Sequence, residues 1–291
     1  MTFSEPVPDL VTVGRVSVDL YAQEVHAPFT EPQTFRKSVG GSPTNVAVAA
    51  AQLGRHAAVT TQVGVDSLGD YVVQQLENWG VDTRYIGRSG EALTPVVLAA
   101  LAPPEEPQII FYRGEAAPDT DIAASAVPPH VVKDCFAFWM SVGALAQGRT
   151  AESSFDWLDS RGRDGQGWTI IDLDYRPSMW ASIDEARRAT QRALPNCSVV
   201  VGNRTECEMA LGLTEPDEIV QAFLGLGIRI VVVKLGGGGV LVADCDRRVR
   251  IPPLDIDVLC GLGAGDAFGG ALVHGLLAGW DLDRKSTRLN S

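Results

Sequence analysis

The feature that most constrains the fold is a regular alternation between residues 136 and 234, where short apolar runs and amphipathic stretches follow one another without a break. Runs at 136–141, 169–172, 198–201 and 229–234 read as buried strands, and 150–160, 182–193 and 215–226 carry helical periodicity. Such alternation implies a parallel sheet covered on both faces. Upstream, 10–14 is a buried strand that stops at Gly14, soon followed by Asp19, and strand ends of this kind are where an α/β protein places ligand contacts. A second strand at 59–63 lies between an alanine-rich helix at 46–54 and an amphipathic one at 68–79, each closed by a glycine. The small residues of the first helix imply close packing against the sheet. Segments 21–39, 95–101 and 108–112 lack helical periodicity and predict a small separate β-sheet, for which a lid is the natural use. After four glycines at 236–239, the runs 240–243 and 248–251 read as antiparallel strands.

Near the end stands Cys260-Gly261-Leu262-Gly263-Ala264-Gly265-Asp266-Ala267-Phe268-Gly269-Gly270, where closely spaced glycines run into an apolar helix-patterned segment. A helix starting near Ala264 would aim unpaired N–H groups and a positive dipole end at an anion, with Asp266 in its first turn. A carboxylate beside an anion cradle suits the acceptance of a proton from a hydroxyl that attacks the held phosphorus. The stretch lacks the Lys-Ser/Thr that ends a P-loop, and no acidic residue follows a strand–helix–strand unit as in a dinucleotide fold. Taken alone, it reads equally well as a glycine-rich turn before a packed helix.

Charge and cysteine content narrow the class. A formal net charge of −12 excludes a nucleic-acid footprint and means that an anionic substrate must be met by a few placed cations. The five cysteines are scattered and unpaired in sequence, as expected of reduced thiols in the cytoplasm, and the four histidines form no local metal-ligand pair. The start has no basic and apolar leader pattern, and no run is long enough to span a bilayer. The 291 residues suffice for one large α/β domain or two small ones.

Three motifs, Gly40-Gly41-Ser42-Pro43-Thr44-Asn45, Asn203-Arg204-Thr205-Glu206 and Gly263-Ala264-Gly265-Asp266, occur in the order and spacing of the PfkB (ribokinase-like) sugar kinases, which the chain resembles from about Asp9 to about Trp280. The resemblance implies an α/β ribokinase-like three-layer sandwich with a mainly parallel central sheet and a small β-sheet lid, built as one kinase domain over 1–283 with the lid from about 20–39 and 95–113. It implies ATP and Mg²⁺ as cofactors, Asp266 as catalytic base, and the Gly263, Ala264 and Gly265 amides as the cradle for developing negative charge. Asp19, Gly41 and Asn45 would hold the sugar, Tyr112, Arg113 and Arg176 its oxidised end, Lys234, Gly236 and Gly239 the nucleotide, and Asn203 and Glu206 the metal through water. Each has a plainer alternative: a turn carboxylate at Asp19, a helix cap at Asn45, a capping box at Asn203 and Glu206, an ion pair from Arg176 to Asp172 or Asp174, a solvated strand end at Lys234.

Within the family, Gly14-Arg15-Val16-Ser17-Val18-Asp19-Leu20-Tyr21, Phe111-Tyr112-Arg113 and Asp172-Leu173-Asp174-Tyr175-Arg176-Pro177 resemble the kinases of 5-dehydro-2-deoxy-D-gluconate in myo-inositol catabolism, with 2-keto-3-deoxygluconate kinases and fructokinases as alternatives. From a different class, a catalytically impaired sugar-binding protein is also compatible. A homodimer through the lid is expected, because a small exposed sheet has edges to cover. Two departures stand out. Cys260 occupies a place where many members carry an acidic residue of a monovalent-cation site, and a thiol is a poor K⁺ ligand. The stretch 284–291 resembles nothing at the family's C-terminus and reads as a truncation, which predicts weak ATP binding.

Overall fold

The computed structural model describes residues 6–102, 107–114, 116–163, 167–253 and 260–282. The stretch 284–291 and most of the turn between the two hairpin strands of the lid lie outside the described residues. Nine strands form the main sheet, in the order β13-β12-β11-β10-β9-β8-β1-β4-β5. They are β1 (Leu10–Val13), β4 (Ala57–Gly64), β5 (Ile86–Ser89), β8 (Ala137–Ser141), β9 (Trp168–Asp172), β10 (Val199–Asn203), β11 (Ile230–Lys234), β12 (Val240–Ala243) and β13 (Arg248–Ile251). From β5 through β11 all pairings are parallel, and only β12 and β13 run antiparallel, as the composition of the strands predicts.

Among the described residues eight α-helices cover this sheet: α1 (Ser42–Gln52), α2 (Ser67–Asn78), α3 (Pro129–Asp134), α4 (Gly148–Arg161), α5 (Ile183–Ala193), α6 (Arg204–Leu211), α7 (Pro216–Gly225) and α8 (Ala264–Leu277). Alternate strand residues serve opposite faces. In β8, Ala137 and Trp139 join a core with residues of α1, α2 and α8, whereas Phe138 and Met140 join a second core with α3 to α7. This is the expected three-layer arrangement. Three elements escape the sequence pattern. Strand β5 is a half-exposed edge with one large apolar residue, and α3 and α6 span only six and eight residues, too short for a periodic signal.

Helix α1 does more than lie on the sheet. Its alanines face α8, and a Cβ added at Gly270 would come within 2.4 Å of the Ala49 Cβ, so the two backbones meet closely because neither helix has bulk there. A Cβ at the adjacent Gly269 would strike the Trp139 ring at 2.7 Å.

A second sheet, order β3-β2-β6-β7, consists of β2 (Ser17–Ala22), β3 (Phe35–Gly40), β6 (Val96–Ala100) and β7 (Gln108–Tyr112). It is the separate small sheet anticipated above. Strand β1 lies between β4 and β8, so the chain leaves it in one direction and later resumes on its other side. Ligand crevices in open α/β sheets form outside the carboxyl ends of strands at such a switch point, and here the lid leaves β1 at that end.

Candidate active site

One cavity at the carboxyl ends of β1 and β8 is lined from three directions. The start of α8 contributes Leu262, Gly263 and Asp266; the start of α1 contributes Gly41, Ser42 and Asn45; the lid and its approach contribute Arg15, Ser17, Asp19, Tyr21, Val97, Ile109, Phe111 and Arg113. Arg176, after β9, closes the rim.

Gly263 is the N-cap of α8 and adopts φ +80°, a conformation that favours glycine. Among the described residues, the Gly265 and Asp266 amides have no acceptor, whereas the Ala264 amide closes a turn on the Gly261 carbonyl at 3.3 Å. The Gly263 amide likewise has none, so of the trio expected only Ala264 is engaged, and Asp266 adds a further free donor. Asp266 accepts a hydrogen bond from Asn45 Nδ2 at 2.8 Å. Burial, with the charge of Asp174, pushes the Asp266 carboxyl above its ordinary range, against hydrogen bonding from Asn45 and the charge of Lys234.

Asn45 is not a cap. Gly41, at φ +108°, is the N-cap of α1, and the Asn45 amide already closes the first helical turn on the Gly41 carbonyl, so its side chain is free to reach Asp266. A Cβ at Gly41 would lie 2.3 Å from the Arg15 carbonyl, which makes this glycine the condition for α1 to start against the β1–β2 connection. Nor is Asp19 a turn residue: it stands inside β2, accepts from Ser17 Oγ at 2.6 Å, and occupies space that a side chain at Gly40 would fill. Burial raises its pKa, opposed by Ser17 and Arg15, and the neighbouring Tyr21 phenol is pushed up to about 12 by burial, Asp19, Cys260 and Asp266.

One expectation about the lid needs correction. Tyr112 does not line the cavity. In β7 the residues facing inward are Ile109, Phe111 and, just beyond the strand, Arg113, and the two-residue period turns Tyr112 outward, where it is 63% exposed. Arg113 does face the cavity, and each of its Nη groups gives one N–H to the fully buried carboxylate of Asp119, which fixes the guanidinium while each Nη keeps a second N–H. For Arg176 both alternatives hold: it lines the cavity and pairs with Asp174 Oδ1 at 3.0 Å.

Beyond Asp266 the strand ends carry a second charge cluster. Lys234, at the end of β11, is no solvated strand end: its Nζ lies 3.8 Å from Asp172 Oδ1 and 3.9 Å from Glu206 Oε2. A Cβ at Gly265 would be 3.3 Å from the same Nζ, which ties the lysine to the start of α8. Burial would lower the Lys234 pKa, but Asp172, Glu206, Asp174 and Asp266 together raise it. Burial lifts Asp172 to about 6 and Glu206 to about 7 despite the lysine. Asn203 and Glu206 form a complete capping box on α6, with Asn203 N donating to Glu206 Oε2 at 2.6 Å and Glu206 N donating to Asn203 Oδ1 at 2.9 Å. That occupies one Glu206 oxygen and leaves Oε1 with no hydrogen bond among the described residues, a donor set that fits Mg²⁺ held through its waters. Gly236 and Gly239 lie in the β11–β12 turn and not in the cavity; Gly239 is required locally, since a Cβ there would sit 1.9 Å from the Ile251 carbonyl.

The site also holds residues that motif reading left unassigned: Arg15, Asp174, Tyr21, Phe111 and Asp119. Arg15 and Tyr21 carried a signal, since one follows the end of β1 directly and the other shares the two-residue period of Ser17 and Asp19. Asp119 carried none, because it reaches the site from a single 3₁₀ turn.

The profile described as pfkB family carbohydrate kinase matches residues 7–286. The chain is 32% identical over 289 residues to a 5-dehydro-2-deoxygluconokinase of Clostridium tetani, covering 96% of this chain and 84% of the relative. Its fold superposes on a putative ribokinase II of Escherichia coli in complex with ATP and Mg²⁺ at a TM-score of 0.87 and 23% identity, covering 97% of this chain and 90% of that one. An aminoimidazole riboside kinase of Salmonella enterica, complexed with its riboside and an ATP analogue, superposes with a TM-score of 0.81 at 23% identity, over 97% and 91% of the two chains.

Proposed function

The chain belongs to the pfkB family of carbohydrate kinases and is a phosphotransferase, and from that premise we propose that it transfers the γ-phosphoryl group of ATP to a primary hydroxyl of a sugar acid, 5-dehydro-2-deoxy-D-gluconate foremost. The observation that carries this is the 2.8 Å contact between Asn45 and Asp266 in a cavity that Asp19 and three guanidinium groups also line. Acceptor-binding and proton-accepting groups there share one enclosed space.

In this reading Asp19 and Asn45 hold hydroxyls of the acceptor, since an ionised carboxylate accepts from two of them and an amide both donates and accepts. Asn45 also fixes the rotamer of Asp266. As the acceptor oxygen attacks in line, its proton passes to the Asp266 carboxylate, the new O–P bond forms, the bond to the β-phosphate oxygen breaks, and ADP leaves. The burial that raises the Asp266 pKa makes it a stronger base than an exposed aspartate. The amides of Gly265 and Asp266, with those of Gly263 and Ala264 nearby, meet negative charge on the phosphoryl oxygens at the positive end of α8. Asn203 and Glu206 would hold Mg²⁺ through its waters, where the ion would neutralise phosphate charge. Lys234 balances Asp172 and Glu206 and keeps the nucleotide side from being uniformly acidic; Gly236 and Gly239 shape the neighbouring turn. We assign no potassium requirement, and we place the enzyme in the cytoplasm as a homodimer joined through the lid, with 1–283 as one kinase domain.

A substrate panel with coupled detection of ADP tests the function. The expected result is ADP release with 5-dehydro-2-deoxy-D-gluconate at a kcat/KM well above that for 2-keto-3-deoxygluconate or fructose. A different order within the panel reassigns the acceptor. A sugar-dependent rise in Tm with no ADP from any sugar would identify a binding protein instead.

A further inference from the structure

Resting on the sugar-acid reading above, we propose that Arg15 and Arg176, held side by side by Asp174, grip the acid end of the acceptor, with Arg15 selecting acids over neutral sugars and Asp174 acting as its positioning residue.

The three guanidinium groups in the cavity differ in what they have left to offer. Arg113 and Asp119 form a one-to-one pair joined by one bond from each Nη, and Asp119 also accepts from the Val16 amide at 2.9 Å, so the charge of this pair is balanced. Asp174, by contrast, is shared. Its Oδ2 accepts from Arg15 Nη2 at 2.7 Å and its Oδ1 lies 3.0 Å from Arg176 Nη2, so two positive groups stand on one carboxylate. The trio keeps a net positive charge inside a cavity of an acidic protein.

Arg15 also has donors without acceptors. Its Nε is buried and has no hydrogen-bond partner among the described residues, and its Nη1 meets only the Met179 sulfur at 3.8 Å. Buried donors are almost always satisfied, and an orphan in a cavity wall marks a place for a ligand oxygen. A carboxylate offers two oxygens in one plane, the shape that guanidinium groups bind best. Arg15 is 14% exposed and Arg176 44%, so one forms the floor and the other the rim of the subsite. Lys234 and the start of α8 already serve the phosphate side, and Arg15 leads into β2, the strand that carries Asp19, which leaves the trio to the acceptor.

The test compares two acceptors, 5-dehydro-2-deoxy-D-gluconate and the analogue whose carboxylate is reduced to an alcohol, in the wild type and in Arg15→Gln, Arg15→Lys and Asp174→Asn. The readout is the acid-over-neutral ratio of kcat/KM. In Arg15→Gln the ratio should fall about 10- to 100-fold, the usual worth of a charge-assisted hydrogen bond, and the fall should sit in KM for the acid. Arg15→Lys should fall between it and the wild type. Asp174→Asn should move the ratio in the same direction, which a merely structural role would not do. An unchanged ratio in Arg15→Gln overturns the proposal, as does a loss of kcat with the KM for the acid unchanged, which would put Arg15 on the transferred phosphoryl group. Should Arg15→Gln not fold by thermal melting, Arg15→Lys decides on the same ratio. A wild type that prefers the neutral analogue sinks the sugar-acid reading itself, whereas a wild type that prefers the acid alongside an unaltered Arg15→Gln sinks only this assignment.

Discussion

The two walls of the cavity are built in opposite ways. The sheet-end wall, with Asp172, Glu206, Lys234 and Asp266, stands on central parallel strands and the first turn of α8, and its charges are buried enough to shift one another's ionisation. The lid wall stands on a four-stranded sheet whose outer strands carry exposed residues, Phe35 on β3 and Tyr112 on β7. Asp266 and the charges around Lys234 lie on the wall that cannot yield, whereas Asp19 and Phe111, which face the acceptor side, lie on the wall that can be rebuilt without disturbing the core. This difference predicts that changes on the first wall cost turnover or stability and those on the second cost selectivity.

The largest effect expected is from Asp266→Asn, which removes the proposed proton acceptor while keeping the shape. Its kcat should drop on the order of 10² or more with sugar binding retained, as measured by steady-state kinetics and by calorimetry with the sugar alone. Near-normal turnover would take Asp266 out of the reaction and erase the contrast between the walls.

Lys234→Met comes next, and it tests stability. It leaves Asp172 and Glu206 buried together without their cation, a loss of about 3–5 kcal/mol where a buried pair is broken. The sign depends on pH. Both carboxyls are raised in the folded chain, so between about 4, the unfolded value, and the values of about 6 and about 7 the folded chain holds protons that the unfolded chain has released. Their contribution is thus present at low pH and lost as pH rises through that window. Removing the lysine extends the window upward, so denaturant titrations should show the variant closest to wild type near pH 5 and furthest from it near pH 8. A gap that does not depend on pH would mean that Lys234 acts by packing alone.

Gly270→Val should cost about 1–3 kcal/mol by overpacking against Ala49 and the α1 backbone. Because the same helix pair brings Asn45 to Asp266, kcat should fall with stability; a fall in Tm with unchanged kcat would show that the Asn45–Asp266 contact tolerates helix separation. The smallest effects belong to the lid. Phe111→Ala, which strips an inward residue, should raise KM for the acceptor several-fold, while Tyr112→Ala, one position on, should change stability by no more than about 0.5 kcal/mol. Equal effects at the two positions would contradict the alternation of β7.

Much of this was legible in the chain itself, and the reason is periodicity. Apolar runs that alternate with amphipathic stretches leave a parallel layered sheet as the arrangement that buries them, and glycines before a helix can be placed at its start without knowing what they face. Asp266 could be placed in the first turn of its helix from local pattern, whereas Asp19 and Asn45 came as its partners from the resemblance to the family's motifs, since local pattern alone also reads as a turn carboxylate and a helix cap. What the chain could not disclose was which polar groups satisfy one another across large sequence separations. Arg113 finds Asp119, Asp174 collects Arg15 and Arg176, and Lys234 joins Asp172 to Glu206 only after the strands are laid side by side. Periodicity is a property of neighbours along the chain and so survives in the sequence, whereas the pairing of charges depends on distances that exist only once the sheet and lid have closed around the cavity.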